Sequence, residues 1–200
     1  MKSEKPLQQL LEVLDSESFA LLRNHFSTVL TPYPIRKGRL LVDIGQVNEF
    51  MYFIEKGVIR SYYLKGSDDI TSRLVADGDI ACVAESFFNQ SPSNEVMEAL
   101  EDTQVYSVSY DDYRLLSGKN VIISQLIIRL LEERLVNYSE RVKVFKYLSV
   151  EERISYYINH PMSLFRRIPD HFIATFLGTT PATFSRCLKE LNKNGVHFTN

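Results

Sequence analysis

Three textures of hydrophobic and polar positions follow one another along this chain. Up to about Val29, Leu10, Leu11 and Leu14 alternate with acidic residues and lead into Phe19, Leu22 and Phe26, the spacing of an amphipathic helix. Asp15-Ser16 marks a break and a fresh N-cap, with Glu17 favourable in the first turn. From Thr31 to about Tyr110, the β-rich runs LLVDIG, MYFIEKG, VIRSYYLKG, ITSRLVADGD and TQVYSVS are separated by Gly45, Gly57, Gly66 and Gly78. Short strands with turns about ten residues apart predict a sandwich or small barrel. Within VIRSYYL, Val58, Arg60, Tyr62 and Leu64 alternate with Ile59, Ser61 and Tyr63, which predicts one covered face.

The third texture is a long helix from about Asn120 to Tyr147. Ile128, Leu131, Leu135, Tyr138, Val142 and Phe145 stand 3, 4, 3, 4 and 3 residues apart, the a/d repeat along which two helices wrap. A second stripe of Ile123, Ile127 and Leu130 is placed to face the β domain. At a length of about 40 Å the helix outreaches one small domain. A homodimer seam is therefore expected rather than burial within its own chain.

SVEERISYYINHP then reads as a helix capped by Ser149, with Glu151 and Glu152 in the first turn and Pro161 as terminator. The stretch FLGTTPATFSRCLKEL, from Phe176 to Leu191, sits in a helix-turn-helix pattern. The first helix begins near Pro169 or Asp170, with Ile173, Phe176 and Leu177 apolar and Ala174 small for a close approach. Gly178 supplies the helix stop, and Thr180 caps a second helix whose first residue is Pro181. Phe184, Cys187, Leu188 and Leu191 point inward. Thr179 and Thr180 lead into an outward face of Ala182, Thr183, Ser185, Arg186 and Lys189, small and polar where a recognition helix meets base edges. Arg186 suits a guanine O6/N7 edge or a phosphate, and the threonines suit phosphates or bases.

Composition narrows the function classes. The chain has 200 residues, 44 % hydrophobic and 24 % charged, with a net charge of −2, as expected of a soluble globular protein. No apolar run approaches the length of a membrane span, and the first residues lack a secretory pattern, so a cytoplasmic protein without a membrane partner is expected. From Lys146 onward seven Lys/Arg face four Asp/Glu, a balance of +3 that leaves −5 on residues 1–145; a basic end on an acidic body suits DNA binding. Cys82 and Cys187 have no CxxC spacing and are expected to be buried hydrophobes. The histidines His25, His160, His171 and His197 show no metal spacing, and GxSxG, P-loop and GxGxxG motifs are absent. No enzyme activity, metal or cofactor is expected.

In this order, the parts closely resemble the Crp/Fnr family of bacterial transcription regulators. The residues carrying the resemblance are FMYFIEKGVIRSYYL (50–64), ADGDI (76–80), the long helix, LSVEERI (148–154) and IATFLGTTPATFSRCLKEL (173–191). It implies an α+β chain: an N-terminal antiparallel β-roll, or cyclic-nucleotide-binding-like jelly roll, then a long dimerisation helix and a C-terminal winged-helix-like helix-turn-helix. The expected divisions are an effector domain over 1–118 with its N-terminal helix, the dimerisation helix over 119–147 and a DNA-binding domain over 148–200. Expected partners are a second copy, a near-palindromic double-stranded operator, RNA polymerase and an unidentified small-molecule effector.

Departures from the family's pattern refine this expectation. Cyclic-nucleotide-binding members carry Gly-Glu after the GD turn and Arg-Ser/Thr about ten residues later; here these fall on Cys82 and Val83, and on Asn94 and Glu95. Glu85 and Ser86 complete the region. With an acid where a phosphate partner belongs, and no Lys or Arg between Ile80 and Ala99, a degenerate pocket that does not bind cyclic AMP is expected. The oxygen-sensing branch holds an iron–sulfur cluster on N-terminal cysteines, and residues 1–81 have none. Pro181 and Ala182 stand where the best-known members place Arg and Glu, while Arg186 matches their later arginine, so a different operator is expected. GVHFTN leaves room for at most one wing strand. The rival expectation is a ligand-binding sensor or scaffold, like the modules attached to kinases and channels, without DNA binding.

Overall fold

The computed structural model describes residues 31–119, 121–160 and 163–193. The expected N-terminal helix, the Pro161 terminator and the GVHFTN wing strand lie outside the described residues. Eight strands are described: β1 (Thr31–Ile35), β2 (Leu40–Val42), β3 (Phe50–Lys56), β4 (Val58–Lys65), β5 (Asp68–Ala76), β6 (Ile80–Ala81), β7 (Val96–Ala99) and β8 (Thr103–Ser109). They form two four-stranded sheets of order β1-β8-β3-β6 and β2-β7-β4-β5. A short helix α1 (Ala84–Asn89) joins β6 to β7. Then follow α2 (Tyr110–Lys119), α3 (Val121–Tyr147), α4 (Val150–Ile158), α5 (Asp170–Phe176) and α6 (Pro181–Lys193). An α+β chain built on an antiparallel β-roll is thus observed.

Several elements depart from the sequence pattern for identifiable reasons. β1 reads TPYPI; its prolines hide the strand from propensity, yet they are tolerated because β1 is an edge strand pairing with β8 alone. Gly57 is not a hairpin turn. It is the corner at which the chain leaves one sheet for the other, at a φ of +130°. Its N–H donates to Asp77 Oδ1 at 2.6 Å.

β4 was expected to have one covered face, yet Val58, Ile59, Arg60 and Ser61 are all buried. The strand lies between β7 and β5 inside its sheet. Ile59 joins the core of Ile35, Val42, Ile54, Val75, Met97 and Val105. Arg60 stands opposite Glu98 in the β4–β7 register and pairs with its carboxylate at 3.1 Å, the two side chains being 1 % and 18 % exposed. The guanidinium also lies 4.2 Å from the Tyr62 ring centroid, so the charge is buried with partners.

The described residues divide into two compact units, one of 31–63 with 73–129, the other of 64–72 with 130–193. The second unit therefore takes in the tip of the β4–β5 hairpin as well as the terminal helices. Its core is formed by Ile154, Ile158, Leu164, Ile168, Ile173, Leu177, Phe184 and Cys187. α4 starts with a full capping box: the Ser149 hydroxyl accepts from Glu152 N–H, and Glu152 Oε2 accepts from Ser149 N–H at 2.7 Å. Hydrogen bonding from the Ser149 backbone N–H, and then from its side chain, holds the Glu152 carboxyl below its usual range.

Candidate nucleic-acid interface

The helix-turn-helix is assembled by local backbone chemistry. Asp170 opens α5 behind Pro169. At the other end Thr179 N–H donates to Ala174 O (2.9 Å) and Gly178 N–H to Thr175 O (3.0 Å), the paired bonds of a Schellman stop. Gly178 takes the left-handed φ of +70° that this stop needs. Two residues later the Thr180 hydroxyl accepts from Thr183 N–H at 3.2 Å and lies 3.1 Å from the Thr183 hydroxyl. Pro181, the first residue of α6, has no N–H to leave unsatisfied. Ile173, Ala174, Leu177, Phe184 and Cys187 are buried between the two helices and their support, as the spacing predicts.

The outward face is open. Thr180, Ala182, Ser185, Arg186 and Lys189 are exposed, with Thr179 and Thr183 half-buried beside them. Hydroxyls cluster at the positive end of α6 and the cations follow one and two turns later, an arrangement that can receive phosphate oxygens and base edges. Arg166 and Arg167, on the segment leading to α5, are also exposed and add to the positive side.

Sequence reasoning missed what holds the turn. Arg141 of α3 donates to Phe176 O at 3.3 Å, at the negative end of α5. Its guanidinium lies 4.1 Å from the Phe176 ring centroid and 5.3 Å from that of Phe145. Arg153 lies 4.8 Å from the Phe145 ring on its own account. A Cβ on Gly178 would stand 3.0 Å from Phe145 Cε1 and 3.3 Å from Arg153 Nη1. Phe145, expected on the dimer seam, thus also supports the turn within its own chain. Gly178→Ala combines the left-handed backbone with this crowding and is expected to lower stability by about 1–2 kcal/mol, read as a lower denaturation midpoint.

Along α3 the remaining seam residues Ile128, Leu131, Leu135, Tyr138 and Val142 are 46–71 % exposed, and Phe145 is 36 % exposed. Covering by the rest of the described chain is therefore incomplete over the whole seam. Ile127 of the second stripe is half-buried; the side chains of Ile123 and Leu130 lie outside the described ones.

In the β-roll, Cys82, Val83 and Ser86 are buried, Glu95 is half-buried, and Glu85 and Asn94 are exposed. Val83 N–H donates to Asn48 Oδ1 at 2.7 Å, Asn48 N–H to Ser86 Oγ at 2.8 Å, and Ser86 Oγ to Ser91 O at 2.6 Å. The polar groups of this loop are thus bound to one another. Burial pushes the Cys82 thiol up to about 11, with Arg73 acting to lower it and Glu95 to raise it. Arg73, on β5, donates to Ile80 O at 2.9 Å. It brings a positive charge near Cys82 from outside the Ile80–Ala99 segment. Phe87 turns to Phe88, Tyr110 and Tyr113, with ring centroids 5.4–5.6 Å away. Among the described residues no helix is long and apolar enough to cross a membrane.

Comparison with known proteins agrees with this architecture. Residues 34–120 match the model of the cyclic nucleotide-binding domain. The chain is 29 % identical over 179 residues to the anaerobic regulatory protein of Pasteurella multocida, covering 82 % of this chain and 63 % of that protein. It is 28 % identical over 176 residues to the fumarate and nitrate reduction regulatory protein of Vibrio cholerae, covering 82 % of this chain and 69 % of that one. The chain thus spans only about two thirds of the length of these relatives. Among solved structures, FixK2 from Bradyrhizobium japonicum has the same fold, with a TM-score of 0.71 at 20 % identity over 86 % of this chain and 89 % of that one. Over most of its length the chain is thus similar in sequence to these bacterial regulatory proteins, its residues 34–120 match the cyclic nucleotide-binding domain model, and its fold is that of FixK2.

Proposed function

We propose that this chain is a sequence-specific DNA-binding transcription regulator that acts as a cytoplasmic homodimer on a near-palindromic operator, in contact with RNA polymerase. The observation that carries the reading is the open face of α6: a hydroxyl-lined start capped by Thr180, followed by exposed Arg186 and Lys189. Two such faces, presented by copies joined along Ile128–Phe145, would meet successive major grooves about 34 Å apart. The exposed apolar seam of α3 supports the second copy. Being a regulator rather than an enzyme also accords with the names of the relatives.

The β-roll pocket is proposed to have lost cyclic-nucleotide binding and to respond to another effector or to none. Val83 N–H is already engaged by Asn48, Glu95 stands near Cys82, and Arg73, the cation beside it, donates to Ile80 O. No metal or other cofactor is invoked.

Fluorescence anisotropy with duplexes from the protein's own promoter region tests the reading. Affinity should fall by an order of magnitude or more between about 50 and 200 mM salt. Cyclic AMP should leave it unchanged. Arg186→Ala should weaken specific binding roughly 10- to 100-fold and flatten preference at one base position. Binding indifferent to both sequence and salt would instead favour the ligand sensor or scaffold without DNA contact.

A further inference from the structure

The tip of the β4–β5 hairpin, residues 64–72, belongs to the same compact unit as the helix-turn-helix, and one pair of side chains joins them. Thr71 N–H donates to Thr175 Oγ1 at 3.2 Å, and the two hydroxyls hydrogen-bond at 2.8 Å. Thr175 Oγ1 also lies 3.3 Å from Phe172 O. Thr71 is buried and Thr175 half-buried, so the pairing is shielded from competing water.

Thr175 is placed where a small displacement matters. It is the residue before Phe176, whose carbonyl receives Arg141, and its own carbonyl accepts the Gly178 N–H of the turn. α6 begins three residues after Gly178. The end of α5 is thus held by the hairpin through Thr71 and by the long helix through Arg141. A rotation of α5 at this point changes where the α6 hydroxyls and Arg186 are aimed, and hydrogen bonds to base edges tolerate only a few tenths of an ångström.

We infer that Thr71 is a positioning residue for DNA reading: the β4–β5 hairpin tip holds α5 so that the α6 face stays aimed outward. The inference rests on the reading of α6 as a DNA-contacting helix. With the Thr71–Thr175 pair made, Thr180, Ser185, Arg186 and Lys189 are exposed, so the pairing favours the arrangement competent to bind.

Valine keeps the shape of threonine and removes the hydroxyl, so Thr71→Val and Thr175→Val separate the pairing from packing. In the full-length chain each should weaken specific DNA binding roughly fivefold. The double variant should be weaker than Thr175→Val by much less than another fivefold, because Thr175→Val already removes the hydroxyl pairing that Thr71→Val breaks. The slope of affinity against salt should equal that of the wild type, since no phosphate contact is lost, whereas Arg186→Ala should reduce it if it meets phosphate. Thr71→Ser and Thr175→Ser should restore binding. Hydrogen exchange of residues 64–72 should quicken in Thr175→Val without DNA present.

Variants that bind DNA like the wild type overturn the inference, as do additive losses or a shallower salt slope. Unchanged hydrogen exchange in 64–72 overturns it too, by showing that the pair does not form. A wild-type chain that binds no duplex, while exchange still responds to Thr175→Val, overturns the DNA reading and this role with it. Normal wild-type binding with unaffected variants overturns this role alone.

Discussion

Gly57→Ala is expected to cost about 3 kcal/mol or more and to lower the denaturation midpoint of the β-roll sharply. Two independent effects combine at this corner. A φ of +130° is a conformation that alanine adopts only under strain. The new Cβ would also overlap the Thr103 side chain, which is buried and whose hydroxyl is committed to Glu101 O at 2.8 Å. Since a domain of this kind is stable by only about 5–15 kcal/mol, the loss is a large fraction of the whole. Circular dichroism through a urea titration measures it. Gly57→Ala with Thr103→Ala should recover the part due to overlap and leave the part due to the backbone. A wild-type midpoint for the single variant would mean that this corner is not the rigid point described.

Leu131→Glu with Leu135→Glu is expected to convert the protein to a monomer and to lower operator affinity by about two orders of magnitude or more. The leucines are 46 % and 71 % exposed in one copy, so glutamate can be solvated there and the fold of each chain should survive. In a wrapped pair of helices the same positions are interior, and each buried leucine contributes about 1.5–3 kcal/mol. Carboxylates facing one another across that seam repel and lose water. The loss of DNA affinity follows because one reading face then acts without the second, and linked sites gain about 10²–10⁴ over single ones. Sedimentation equilibrium reads the mass and anisotropy the affinity. A variant that remains a dimer would place the seam elsewhere on the chain.

The helix-turn-helix was legible from sequence because its boundaries are set by neighbours in the chain. Pro169, Gly178 and the Thr180-Pro181 step each satisfy or remove specific backbone groups, and no distant residue is needed to read them. The extent of α3 was legible for a related reason: 27 residues at helical spacing admit few other forms. The β-roll was legible in kind and less so in detail. A glycine between two β-rich runs announces a reversal, but not whether the chain stays in its sheet, and at Gly57 it leaves. The four-residue β7 and the prolines of β1 gave too little pattern to stand out.

Contacts across long separations were not legible at all. Thr71 meets Thr175 across 104 residues, and Arg141 meets Phe176 across 35. Arg73 reaches the rim of the pocket from a strand that pattern alone places only as one of several. The burial of Arg60 was not legible because alternation counts positions and is blind to a partner such as Glu98.

That ion pair has a bearing on how the chain finds its strand order. Were β7 to slide by one residue against β4, the Glu98 carboxylate would turn to the opposite side of the sheet, and the guanidinium would be enclosed with no counter-charge, at a cost of several kcal/mol. Aliphatic side chains at both places would forgive the slip. A single charge in an oily interior thus acts as a proofreading mark, rejecting near-miss assemblies that hydrophobicity alone would accept.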